Sequence, residues 1–128
     1  KNTINKTVKI TNTNIPTIPS GDFAGNMVVT LRWIHESRID EVVEISSKYT
    51  NSHGSPVHIG DPEKIGIKDI KNPDYGNQWI NDDKSYVPVF WACGVTPQNI
   101  ALTSNIDFMI THSPGHMFIT DLSTRNKN

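Results

Sequence analysis

One cysteine among 128 residues, Cys93, cannot close a disulfide within the chain, so a hydrophobic core must supply what a covalent framework would otherwise supply. A reducing, aqueous compartment is the expected setting: the cytoplasm, or the mitochondrial matrix for a eukaryotic source. No stretch approaches the ~18 to 20 consecutive apolar residues that a spanning helix needs, so no membrane is expected as a partner. Charge of one sign is scarce as well. Twelve Lys+Arg against 13 Asp+Glu leave a formal net charge of −1, with no long run to attract nucleic acid or an anionic lipid surface. The sequence also lacks a G-x-S-x-G elbow, a phosphate-loop lysine motif and a dinucleotide glycine fingerprint, so no cofactor is expected. There is no internal repeat and no low-complexity tract.

What is present describes a folded chain. The hydrophobic fraction, 35%, is lean, but the apolar residues cluster and 16 of the 128 positions are Ile. The length suits one domain over 1–128, with 1–12 and 123–128 expected to fray. Because the sequence opens on Lys1 rather than Met and has no charged segment followed by an apolar one, it is expected to be processed or part of something longer.

The early Thr, Asn, Lys and Ile residues, with Pro16 and Pro19, favour extended chain and a strand near 8–11. The run Met27-Val28-Val29-Thr30-Leu31-Arg32-Trp33-Ile34 is β-branched and apolar, as in a strand buried on both faces, and Arg32 inside it needs a partner. Ser37 is placed to cap a helix from Arg38 to Tyr49, with Ile39, Val42 and Val43 at helical spacing. A short strand over 56–59 meets Asp61 and Pro62, an N-cap followed by an N1 proline. Further strands are predicted over 78–80, 86–92, 106–111 and 117–120, with Pro88 marking an edge or a bulge. Thr96-Pro97 repeats the cap-then-proline signal and opens a helix to about Ser104. Alternating strands and helices predict an α/β fold: a mixed sheet with helices packed on it in a single layered domain.

Three clusters carry candidate chemistry. His53-Gly54-Ser55-Pro56-Val57-His58-Ile59-Gly60-Asp61-Pro62 holds two imidazoles and a carboxylate near turns, where functional groups tend to be mounted. His58 packing on a core face and Asp61 merely capping are equally open. His112 and His116 are four apart, a metal spacing on a helix, but Pro114-Gly115 between them disfavours that helix, and no metal site is expected. Asp121 nearby is suited to orienting an imidazole or to solvation. Cys93-Gly94, ahead of Thr96 and Gln98, reads either as a thiol activated at a helix start or as a buried inert cysteine beside a donor-rich strand end.

These clusters, together with Asn26 to Arg32, Pro88 to Gln98 and Thr111 to Asp121, resemble the D-glutamate cyclase and hydro-lyase family of bacterial and mitochondrial proteins. The resemblance runs from about Thr13 to Leu122 and corresponds to the C-terminal half of a family member. Leu31 and Trp33 stand where Met and Pro are more usual, and Arg32 is retained. It implies loss of water, either from a hydroxy acid or in closure of D-glutamate to 5-oxo-D-proline. It also implies that Arg32 holds a substrate carboxylate, that His58 or His112 serve as base and acid, and that Asp61 or Asp121 orient them. Cys93, Gly94 and Thr96 would form a donor-rich wall, with Gln98, His53 and His116 at the substrate. An absent N-terminal half or a second copy of the chain is the expected partner beside the small carboxylate, and the chain alone is expected to turn over weakly or not at all. The other readings are a small-carboxylate-binding or packing module and a metal-dependent hydrolase. Convergence of Arg32, His58, Cys93 and His112 on one pocket is the geometric expectation.

Overall fold

A computed structural model describes residues 9–77, 81–116 and 119–123. Five strands form one sheet: β1 (Lys9–Pro16), β2 (Asn26–His35), β3 (His58–Ile59), β4 (Tyr75–Gly76) and β5 (Tyr86–Ala92), in the spatial order β3-β5-β2-β1-β4. Helices α1 (Ile39–Ser47) and α2 (Thr96–Thr103) complete the regular structure of the described residues, with 3₁₀ turns over Glu36–Arg38 and Pro62–Ile65.

Every neighbouring pair of strands is antiparallel, which corrects the expected mixed sheet. The β2-α1-β3 passage is a crossover and leaves β2 and β3 running the same way. Strand β5, from later in the chain, then inserts between them and pairs antiparallel with both. Alternation of elements along the sequence therefore does not report which strands are neighbours.

The central β2–β5 ladder runs in continuous register from Val29 opposite Ala92 to His35 opposite Tyr86. Side chains alternate across it, so Val29, Leu31 and Trp33 face one side while Val28, Thr30 and Arg32 face the other. On the first face Val29, Leu31 and Phe90 are sealed by Ile65 and Ile67, which follow the Asp61-capped turn. On the second face Ile10, Val28 and Val95 form a smaller core, with Tyr75 and Cys93 against it. Val28 and Val29 are both fully buried, as a strand covered on both sides requires. Pro88 costs no bond to β2: its carbonyl accepts from Gly60 N (2.9 Å), so its missing N–H also points toward the two-residue strand β3.

Several local expectations change. The side-chain cap is His35, whose Nδ1 accepts from Ser37 N at the start of the 3₁₀ turn leading into α1; Arg38, the N-cap of α1 itself, makes no side-chain cap bond. Thr96 does not cap α2; Val95 holds that position, and the Thr96 hydroxyl bonds the N–H (3.0 Å) and C=O (3.1 Å) of Val28 instead, extending the ladder where β5 ends. Lys9 to Asn12 are paired into β1 rather than frayed. The segment 106–111 forms no strand. Both outer strands of the sheet are two residues long, so neither offers it a ladder, and Phe108 and Ile110 stay exposed. The strand expected over 78–80 lies outside the described residues, as do Met117 and Phe118 of the one over 117–120; Ile119 and Thr120 are in no strand.

Candidate functional site

Arg32 is a cation at the middle of the most buried strand, and its surroundings define the site. Burial lowers the guanidinium's pKa from its ordinary value, and no carboxylate or hydrogen-bond acceptor among the described residues compensates it. The partner that the sequence calls for is therefore not supplied by these residues. Arg32 instead borders two adjoining cavities above its face of the sheet.

The first cavity, about 370 Å³, lies between the sheet and α1 and is lined by Thr30, Arg32, Ile45, Ser46, Tyr49, Ser52, His53, Gly54 and Trp91. It exists because α1 does not seat firmly: Ile39, Val42, Val43 and Ser46 turn inward but none is fully buried. The second, about 330 Å³, is lined by Ile10, Thr30, Arg32, His53, Cys93, Gly94, Val95, His112, Gly115 and His116. Thr30, Arg32 and His53 are common to both and form the shared wall.

The three imidazoles that line the second cavity are held in one tautomer. His53 Nδ1 lies 2.6 Å from Ala92 O, His112 Nδ1 lies 2.9 Å from Ser113 O, and His116 Nδ1 lies 3.3 Å from Pro114 O. A carbonyl oxygen only accepts, so each Nδ1 carries the proton and each neutral ring keeps its lone pair on Nε2. None of these Nε2 atoms has a hydrogen-bond partner among the described residues. Gly94 lies beside His112: a Cβ there would sit at an ordinary van der Waals distance, 3.6 Å, from Nε2. Gln98, on α2, donates to His112 O (2.7 Å) and so fastens the imidazole loop to the helix that Thr96 ties to β2.

Arg32, His53, Cys93, Gly94, His112 and His116 thus meet at one cavity, with Thr96 and Gln98 bracing it from behind. His58 and Asp61 do not join them. His58 pairs with Phe90 on the opposite face, its ring 5.8 Å from the phenyl ring, and donates Nε2–H to Asp61 O (2.7 Å). The Asp61 carboxylate accepts from Glu63 N (3.0 Å) as an N-cap. The reason is register: His58 stands directly opposite Phe90 and so shares its face with Val29 and Leu31, while the segment 53–60 runs along β5 from His53 beside Ala92 to Gly60 beside Pro88. Asp121 is exposed and lines neither cavity. The expected convergence therefore holds for Arg32, Cys93 and His112, and fails for His58.

Thr30, Tyr49 and Trp91 were not singled out from the sequence. Thr30 had a signal, since a polar residue two before Arg32 in an apolar strand shares its face. Trp91 follows from the register that sets it opposite Thr30, which no local pattern reveals. Among the described residues no three His, Cys, Asp or Glu side chains gather as a metal centre, and no helix is long and apolar enough to cross a membrane. Chemically, the arrangement offers one partly desolvated cation for an anion and several Nε2 lone pairs for moving protons.

Comparison with known proteins agrees with the motifs. A protein of Oceanobacillus iheyensis, named "Putative hydro-lyase", is 55% identical over 116 residues, which is 91% of this chain and 46% of that protein. Similarly named proteins of Natranaerobius thermophilus and Agrobacterium fabrum are 53% and 51% identical, covering 85% and 86% of this chain but only 41% and 40% of their own lengths. The chain thus spans less than half the length of these relatives. A family model for D-glutamate cyclase matches residues 1–121, and on that match the chain belongs to the D-glutamate cyclase family.

Proposed function

We propose that the protein serves a dehydrating enzyme of the hydro-lyase kind that acts on a small carboxylic or amino acid, and that the Arg32 cavities are its substrate site. The observation that carries this reading is the half-buried Arg32 guanidinium, which has no counter-charge among the described residues and shares a cavity with imidazoles whose Nε2 atoms have no hydrogen-bond partner among those residues. A substrate carboxylate supplies the missing negative charge and, once paired, is fixed beside the proton-transfer groups. In water loss from a hydroxy acid, one Nε2 takes the proton from carbon, the C–H pair becomes the new C=C bond, and a second, protonated imidazole gives its proton to the departing hydroxyl. In the closure that the family's name suggests, the D-glutamate amine attacks the side-chain carboxyl carbon, an N–C bond forms, and the leaving oxygen departs as water. Both reactions use the same three services: anion binding, a base and an acid. His112 and His53 supply the proton-transfer groups, Cys93 and Gly94 the wall beside them.

The test is turnover by the full-length protein, with product detected by mass spectrometry. Arg32→Gln is expected to raise KM about 10-fold or more, and His112→Gln to lower kcat about 100-fold. Unchanged kinetics in both variants overturn the assignment. Loss of carboxylate binding in Arg32→Gln without any turnover in the parent protein identifies the binding-module reading instead.

A further inference from the structure

Exposed apolar side chains are concentrated at one place in this chain. Among the described residues six large apolar side chains are more than three-quarters exposed, and five of them fall between Leu102 and Leu122: Leu102, Phe108, Ile110, Ile119 and Leu122, at 76% to 82%. The sixth, Ile18, stands apart between β1 and β2. Singly such residues are ordinary; gathered, they mark a surface that something else covers. The stretch that carries them is tied to the fold. Leu102 sits on α2, which Thr96 fastens to β2, and Gln98 of the same helix donates to His112 O across 2.7 Å. From this we infer that the side chains from Leu102 to Leu122 are a docking surface, and that its occupant is an apolar face of the remainder of this protein's own polypeptide. Length argues for that occupant: the relatives carry more than half of their residues outside the part that this chain matches. A segment joined covalently meets the surface at an effective concentration on the order of millimolar, above what a second copy or a free partner reaches. The same stretch passes through His112 and His116, which line the second cavity, so the part that docks beside Ile110 adjoins that cavity. The inference is independent of which ligand the cavities take.

The experiment is hydroxyl-radical footprinting of the full-length protein, read by mass spectrometry, with an isolated peptide spanning 102–122 as the exposed reference. Oxidation at Phe108, Ile110 and Leu122 is expected to be at least about 10-fold slower in the protein than in the peptide, and equally slow after about a 100-fold dilution. Oxidation at the rate of the peptide overturns the inference. Protection that disappears on dilution gives the surface to a second copy and overturns it as well. Photo-cross-linking identifies the occupant, with benzoylphenylalanine placed separately at positions 108 and 122 so that a replacement that fails to fold at one leaves the other. Adducts with residues of the same polypeptide outside these 128 are expected. Adducts confined to the 128 residues, adducts joining two chains, or none at either position overturn the inference.

Discussion

His53 donates its Nδ1–H to the carbonyl oxygen of Ala92 across 2.6 Å, joining the loop after α1 to the last residue of β5. That single bond fixes both the position and the tautomer of an imidazole on the wall between the cavities. Nitrogen-15 spectra of the neutral protein are expected to show His53 and His112 as Nδ1–H tautomers, the reverse of the usual preference of the free side chain. Finding Nε2–H at both would remove them as bases in the orientation described. His53→Ala is expected to lower turnover by about 100-fold, the scale of a lost acid–base group.

Arg32 illustrates an exchange of stability for binding. Its charge is partly desolvated and is not compensated by any of the described residues, so Arg32→Met is expected to stabilise the protein against urea by on the order of 1 kcal/mol or less, the remaining exposure screening the rest. The sign is the same from about pH 5 to 9, because arginine stays protonated throughout and the penalty on the charged form does not titrate away. The same substitution should abolish carboxylate binding. A less stable Arg32→Met protein would mean that the guanidinium has a compensating partner.

His58 provides the complementary control. Its bond to Asp61 O and its contact with Phe90 lie on the face away from the cavities. His58→Ala is expected to cost about 1–2 kcal/mol of stability from the lost hydrogen bond and packing. Turnover should stay within about 2-fold. A 100-fold fall in kcat without unfolding would place chemistry on that face.

What the sequence disclosed follows the range of the forces involved. The strand at Met27 to Ile34, the strand at Tyr86 to Ala92 and the Asp61-Pro62 cap are set by residues a few positions apart, and all three are found. Which strands become neighbours is a long-range choice. Insertion of β5 between β2 and β3 turned the mixed sheet into an antiparallel one and carried His58 away from Cys93. The same absence of long-range information made 106–111 look like a strand, since Ile106, Phe108 and Ile110 alternate as a strand would but meet no free ladder. The Arg32, Cys93 and His112 convergence was legible because polar groups at the ends of buried segments have few places to go.

Thr96 shows how a side chain can complete a sheet. Its hydroxyl serves both the N–H and the C=O of Val28, a residue with no exposed surface, so Thr96→Val leaves a buried donor unpaired. A loss of about 1–3 kcal/mol in denaturant unfolding is expected, and Thr96→Ser should recover most of it. Equal losses in the two variants would show that the methyl group matters as much as the hydroxyl.

Two glycines differ in what an added side chain would meet. Gly66 closes the 3₁₀ turn at φ +80°, and a Cβ there would lie 2.9 Å from the Asn14 Cβ and 3.1 Å from its backbone N. Both the left-handed backbone and the clash oppose a side chain, so Gly66→Ala is expected to destabilise by more than about 1 kcal/mol. Gly94 has no positive φ, and among the described residues its added Cβ would meet only His112 Nε2, at an ordinary 3.6 Å. Gly94→Ala should therefore fold with a thermal midpoint close to that of the parent, yet place a methyl group against the nitrogen that must reach the substrate. The expected signature is a fall in kcat/KM of about 10-fold or more with unchanged unfolding. Full activity in a folded Gly94→Ala protein would show that substrate approaches His112 from another side.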